Sequence, residues 1–197
     1  MMYHMRPAIS TFIAFTILTG VLYPVIVTGI AQSLFPYRAN GSLIRANNQT
    51  LGSELIGQQF TNPKYFWGRV SATAPAPYNA AASSGSNLGP SNAALIVAVK
   101  NRIEALKKHT TPEGPVPIDL VTSSASGLDP HISPAAAEYQ VPRIAKFRGM
   151  SDEKLRELVG RSTQERQFGL LGEPRVNVLH LNIALDEIPT SGQSLDD

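Results

Sequence analysis

The residues best equipped for chemistry lie together in one stretch, Val121–Ile132, which reads VTSSASGLDPHI. Closely spaced serine hydroxyls and a glycine can turn hydrogen-bond donors toward an anion, with Ser124, Ser126 and Gly127 the candidates. Asp129 is the one evident magnesium ligand near them, and its closeness to His131 in sequence would suit acid–base work. The stretch holds no lysine, and no P-loop, with its glycines followed by Lys and Ser/Thr, occurs in the chain. Ser, Asp, Gly and Pro are also the residues that cap and turn a tight loop, and by composition alone that plainer reading is favoured.

Other catalytic patterns fail on spacing. His4, His109, His131 and His180 form neither HExxH nor HxxxH, so a metal site has no support. The nucleophile-elbow pattern GxSxG is missing. With no cysteine in the chain, disulfides, thiolate zinc sites and a cysteine nucleophile are excluded. A Ser-Lys dyad stays open, because such partners meet only in the fold; a membrane-anchored Ser-Lys hydrolase is therefore the rival reading, and a free-standing binding domain on an inert anchor is another. The net charge of +2 is small and dispersed, which gives nucleic acid no footprint.

These residues must be carried by some scaffold, and its first element is plain. No charged residue occurs between Arg6 and Arg38. After a short tail at 1–7, the span 8–34 exceeds the ~20 apolar residues that cross a bilayer as a helix. It is too long for the ~7–15-residue core of a cleaved signal peptide. Phe35 and Tyr37 sit where an interfacial aromatic belt would lie. Thr16, Gly20, Pro24 and Thr28 recur every four residues along one side, a face on which a partner's transmembrane helix could dock closely, with a kink expected at Pro24. Basic residues on both flanks leave the orientation open.

The remaining residues, 35–188, are expected to form one α+β soluble domain, followed by a polar tail at 189–197. Asn40-Gly41 marks a turn, Leu51–Phe60 a short apolar element, Thr61–Ala82 an irregular packed stretch, and Ser83–Asn92 a loop. A helix follows from about Ala93 to Lys108, capped by Ser91 or Asn92, with an apolar stripe of Leu95, Val99, Ile103 and Leu106. Thr110–Pro117 reads as a linker and Ile118–Thr122 as a short strand. Ser133-Pro134 opens a second helix, expected to kink or break at Pro142. Ser151 caps a third, from Asp152 to about Gly160. Arg175–Leu185 reads as a strand on its β-branched and apolar content.

Across nearly the whole chain, ordered motifs resemble one family. They are RPAISTF at 6–12, FPYRANGSLI at 35–44, GSELIGQQF at 52–60, YFWGRVSATAPAPYN at 65–79, SGSNLGPSN at 84–92, LVTSSASGLDPHISPAAA at 120–137, QVPRIAKFRG at 140–149 and RVNVLHLNIALD at 175–186. The sequence is similar to the KdpC family of the bacterial potassium-transporting Kdp P-type ATPases. Val70 departs from the family's usual proline after Gly68-Arg69.

The resemblance implies a non-catalytic accessory subunit of a high-affinity, ATP-driven potassium importer. Its implied partners are a potassium-channel-like subunit, a P-type subunit that hydrolyses ATP, and the lipid bilayer. The absence of a DKTG phosphorylation motif agrees with hydrolysis elsewhere. The resemblance places the chain in the inner (plasma) membrane as a single pass, N-terminus in the cytoplasm, soluble domain outside and against the potassium-carrying subunit. It further implies a role in assembly and coupling, as a catalytic chaperone that raises the hydrolysing subunit's affinity for ATP. No cofactor is expected to be held firmly; ATP is expected through the partner. In the family, the stretch matching Val121–Asp129, together with Gln140, is the one proposed to engage nucleotide.

Overall fold

The computed structural model describes residues 2–46, 48–108 and 114–188. It divides into two units, residues 1–51 and 52–197. His109, the first part of the expected linker (110–113) and the polar tail at 189–197 lie outside the described residues.

The first unit is dominated by a helix continuous over Tyr3–Leu34, long and apolar enough to cross a membrane and with none of its apolar window buried. It comprises α1 (Met2–Ile17), a π-helical turn at Leu18–Leu22 and α2 (Tyr23–Leu34). The π turn has a local cause. Pro24 offers no N–H and its ring crowds the preceding turn. The helix widens just before it, and the Tyr23 N–H reaches Leu18 O. The irregularity expected at Pro24 is thus taken up one turn earlier. Within this span, the Thr16 and Thr19 hydroxyls donate to Phe12 O and Phe15 O at 2.8 and 2.7 Å, and Ser33 donates to Gly29 O at 2.7 Å. Such back-bonding satisfies a hydroxyl without water. A short helix α3 (Pro36–Ala39) and strand β1 (Leu43–Ala46) follow, and β1 and β2 (Gln49–Ser53) form a two-stranded sheet.

The second unit is α+β. Helix α4 (Ala93–Lys107) is capped by Asn92, whose side chain accepts from Ala94 N at 2.9 Å. Strands β3 (His131–Ile132), β4 (Thr163–Gln164) and β5 (Arg175–Asn177) form an antiparallel sheet in the order β3-β5-β4, with Ile132 and Thr163 flanking Val176. Helices α5 (Pro134–Arg148), α6 (Asp152–Ser162) and α7 (Val178–Asp186) pack on one another and on β5. Val141, Ile144, Leu155, Val159, Val176, Leu181 and Leu185 fill the space between them.

Three expectations are corrected. Arg175–Leu185 is not one strand: β5 ends at Asn177, whose side chain accepts from His180 N at 3.1 Å and caps α7. Val178, Leu181, Asn182 and Leu185 are buried at helical spacing, and that periodicity outweighs β-branched content. Ile118–Thr122 is not a strand either. Ile118–Leu120 forms a 3-10 turn, with Leu120 N on Pro117 O and the Thr122 N–H and hydroxyl on Ile118 O. Finally, of the kink or break expected at Pro142 the break does not occur, since α5 runs through it as one helix. Pro142 is exposed and Glu138, whose carbonyl loses its donor, is only half-buried, so that oxygen can turn to water.

Candidate functional site

The loop after the 3-10 turn is held from several directions. Ser123 bridges to Val70, Leu128 O accepts from Gly57 N at 2.8 Å, and Pro130 O accepts from Val178 N at 3.0 Å. Asp129 is its electrostatic hub. Its carboxylate takes Arg69 Nη1 at 3.2 Å and the His131 backbone N–H at 2.9 Å, with His131 Nδ1 at 3.4 Å. Burial pushes the Asp129 carboxyl up, but the hydrogen bonds from His131 and Arg69 outweigh it and hold the group below its ordinary value.

Much of what the loop could offer a ligand is already engaged. Gly127 sits at φ +68, where a Cβ would meet Ser84 O at 2.6 Å and the Thr73 side chain at 2.7 Å. Its N–H donates to Ser124 O at 3.4 Å and its carbonyl accepts the Ser71 hydroxyl at 2.7 Å. The Ser126 hydroxyl accepts from Leu128 N at 3.1 Å. Ser124 is buried. Ser124, Ser126 and Asp129 nonetheless line one shallow cleft of about 530 Å³, beside Arg69 and Leu55.

Gln140 is not brought to that cleft. It is 0% exposed, and its amide is saturated. Oε1 accepts from Trp67 N at 2.8 Å and Arg143 Nη2 at 2.6 Å, while Nε2 donates to Trp67 O and Ala136 O, both at 3.1 Å. One residue earlier, Asn182 does the same for Phe66: Oδ1 accepts its N–H at 2.9 Å and Nδ2 donates to its carbonyl at 3.0 Å. A buried segment with no strand partner thus has its peptide groups satisfied by two side-chain amides.

Arginines complete the brace, and the sequence by itself does not single out Arg143 or Arg148. Arg143, 1% exposed, lies 4.5 Å from the Trp67 ring centre and donates to Pro63 O as well as Gln140. Burial, reinforced by the charge of Arg102, pulls its pKa down to about 10, which leaves it charged at neutral pH. Arg102 reaches the same indole at 5.2 Å and donates to Leu120 O and Gly68 O. Arg148 lies over Tyr65, donates to Lys64 O and pairs with Asp186 at 2.6 Å. Arg102 does carry a signal, since it falls on the apolar stripe of α4 between Val99 and Leu106. Beside it opens a cleft of about 520 Å³ lined by Phe60, Arg69, Tyr78, Leu95, Arg102 and Ser123.

On the first unit, Thr16, Gly20, Pro24 and Thr28 are all exposed. Positions four apart drift about 40° per step around a regular α-helix. The wider turn at Leu18–Leu22 reduces that drift and keeps the four nearer one line. No group of three His, Asp or Glu able to hold a metal occurs among the described residues.

Among the described residues one helix is long and apolar enough to span a bilayer, and an α+β domain braced by buried amides and arginines follows it in the chain, the plan of a membrane-anchored protein. The family model described as K+-transporting ATPase, c chain, matches residues 5–187, and the chain belongs to that family, KdpC. It is 62% identical to the potassium-transporting ATPase KdpC subunit of Herpetosiphon aurantiacus, over 93% of this chain and 95% of the relative. The protein of the same name from Methylococcus capsulatus is 58% identical, over 95% of this chain and 100% of the relative. That of Sorangium cellulosum is 57% identical over 94% and 98%. By family, then, the chain is an accessory chain of a potassium-transporting ATPase.

Proposed function

We propose that this chain is the non-catalytic assembly and coupling subunit of an ATP-driven potassium importer. The observation that carries the reading is the full-length family match, from residue 5 to 187. In this reading the helix Tyr3–Leu34 docks in the complex with its N-terminus in the cytoplasm, through Thr16, Gly20, Pro24 and Thr28. The soluble domain lies outside the inner membrane, against the potassium-channel-like subunit. ATP is hydrolysed by the P-type subunit. Any rise in that subunit's ATP affinity acts through coupling: a chain that binds one state of the complex better favours every ligand of that state.

The site geometry supports indirect action over direct nucleotide contact. Of Ser124, Ser126, Gly127, Asp129 and Gln140, the last is buried and saturated, and Gly127 and Asp129 are spent on their own neighbours. The Ser-Lys hydrolase draws no support, because every lysine is exposed, whereas a lysine base must be desolvated to lose its proton near neutral pH.

The test pairs topology with function. In this cysteine-free chain, Ser84→Cys and Lys154→Cys present exposed thiols. Labelling in intact cells by an impermeant reagent is expected at both. Complexes purified without the chain are expected to lose potassium-stimulated ATP hydrolysis. Full activity without the chain would overturn the reading, and thiols reached only after the membrane is opened would overturn the orientation.

A further inference from the structure

Helix α4 lends Leu95, Ala98, Arg102 and Ala105 to the wall of the cleft of about 520 Å³. These positions follow one another at steps of three or four residues, so they form a single stripe. None of them is buried: Ala98 is exposed and the other three are half-buried. Phe60 and Leu88, also half-buried, belong to the same wall. An uncovered apolar wall in a concavity of this size suits a small organic ligand, since such sites run to about 300–1,000 Å³ and add a few polar groups to apolar walls.

The charges of the wall are unbalanced. It carries Arg69 and Arg102 and, among the described residues that line it, no Asp, Glu or Lys. Arg69 is matched by Asp129 at 3.2 Å. Arg102 meets no carboxylate among the described residues: burial pulls its pKa below the ordinary value, and only Tyr78 works against that. Its Nε and Nη2 donate to Leu120 O and Gly68 O at 3.1 and 3.3 Å, and its guanidinium lies 5.2 Å from the Trp67 ring centre. Nη1 is left without a hydrogen bond to any described residue. Two carbonyls and a ring thus fix a guanidinium whose charge the protein itself leaves open. A half-buried charge of this kind gains most from an anion that forms a charge-assisted hydrogen bond.

We propose that this cleft binds a small amphiphilic monocarboxylate of the medium-chain fatty acid class, with its carboxylate on Arg102 and its chain along Ala98, Leu95 and Leu88. The charge balance selects the head. With Arg69 matched by Asp129, one positive charge is open, which suits a single carboxylate. A phosphate monoester brings roughly 1.5 to 2 negative charges at neutral pH, and a nucleoside triphosphate more, with no lysine in the wall to meet them. The wall selects the tail, because a hydroxylated body would leave polar groups unpaired against Phe60, Leu88 and Leu95. The guanidinium is already held in place, so little ordering entropy is lost on binding.

The test uses the full chain in lipid nanodiscs and a decanoic acid that carries a photoreactive diazirine near its chain end. After illumination, adducts are expected on peptides that contain Leu88, Leu95 or Ala98. Unlabelled decanoate should displace the probe better than decanol by roughly tenfold or more, the worth of one charge-assisted hydrogen bond. Arg102→Met should make the two competitors equal. Arg102 also supports Trp67, so a second variant separates binding from folding. Ala98→Phe places a ring in the cleft from an exposed helix position; it is expected to melt like the parent and to lose the cleft adducts by roughly tenfold or more. Adducts confined to Tyr3–Leu34, equal competition by decanol in the parent, stronger competition by ATP, or undiminished cleft labelling of Ala98→Phe would each overturn the site. None of these readouts involves another subunit, so the site can fail while the proposed function stands.

Discussion

Gln140 on α5 and Asn182 on α7 hold two consecutive peptide units, those of Trp67 and Phe66, each through one accepted and one donated hydrogen bond. The two amides act as short pieces of strand for a segment that has none. Gln140→Leu and Asn182→Leu keep similar volume but each leaves an N–H and a carbonyl buried without partners, at about 1–3 kcal/mol per orphaned group. Each variant is therefore expected to lose about 2–6 kcal/mol of stability by this reckoning. Urea unfolding of the full chain in detergent, followed by Trp67 fluorescence, reads the loss.

Arg143 does three things at once: it stacks on Trp67, donates to Pro63 O and donates to Gln140. A lysine offers a point charge without a plane or a fork. Arg143→Lys is expected to destabilise by about 2–3 kcal/mol, in the range of lost buried charged hydrogen bonds. Thermal melting decides it; a change within about half of one kcal/mol, the usual reach of a surface substitution, would count against the brace.

Two glycines with nearly the same backbone angle separate strain from space. Gly127 and Gly149 lie at φ +68 and +63, but a Cβ meets Ser84 O and Thr73 only at Gly127, and open space at Gly149. Gly149→Ala is expected to cost only the conformational penalty of about 1 kcal/mol. Gly127→Ala is expected to cost clearly more and to loosen the loop. Hydrogen exchange at Leu128 and His131 should rise in the second variant alone.

Asp129 sets an acid limit. Its folded pKa lies below the ordinary value, so its contribution is fully present above the unfolded pKa near ~3.9 and is lost as pH falls through the folded value. Asp129→Asn is expected to be the less stable protein at neutral pH. The gap between the two should narrow only below about pH 4. A gap that is constant from about pH 7 to about pH 2 would show that Asp129 is not held by His131 and Arg69 as a charge.

On the anchor, Gly20→Ile fills the middle of the proposed docking face, whereas Val25→Ile adds bulk at an exposed position outside it. Reduced recovery of partner subunits is expected for the first and normal recovery for the second. Equal behaviour would remove the face formed by Thr16, Gly20, Pro24 and Thr28.

The parts of this chain legible in its residues are those dictated by a local or uniform demand. Lipid asks the same of every position from Ala8 to Leu34, so the anchor stands out. Asn92, Ser133 and Ser151 announce their helices because a cap acts within three residues. Val178–Leu185 misleads because Val, Leu and Ile suit strand and helix alike, and the deciding cap, Asn177, sits inside the apolar run. Pro142 misleads because its cost depends on whether Glu138 O faces water, which tertiary structure decides. The brace around Trp67 is hidden for a different reason. Gln140 and Arg143 are spelled as an ordinary polar helix face, and only the fold shows what they enclose. The Val121–Asp129 loop has the composition of a turn, and the Ser126 hydroxyl and the Asp129 carboxylate accept from backbone N–H groups two residues on.

The Asn182 brace also sets an order of events. Phe66 and the residue that satisfies its peptide are 116 positions apart, so the ribosome delivers the aromatic segment well before its partner exists. While the anchor helix is already entering the bilayer, Phe66 and Trp67 wait uncovered. The domain closes only when α7 arrives, and a chain cut short before Val178 keeps an apolar, unbonded stretch on display.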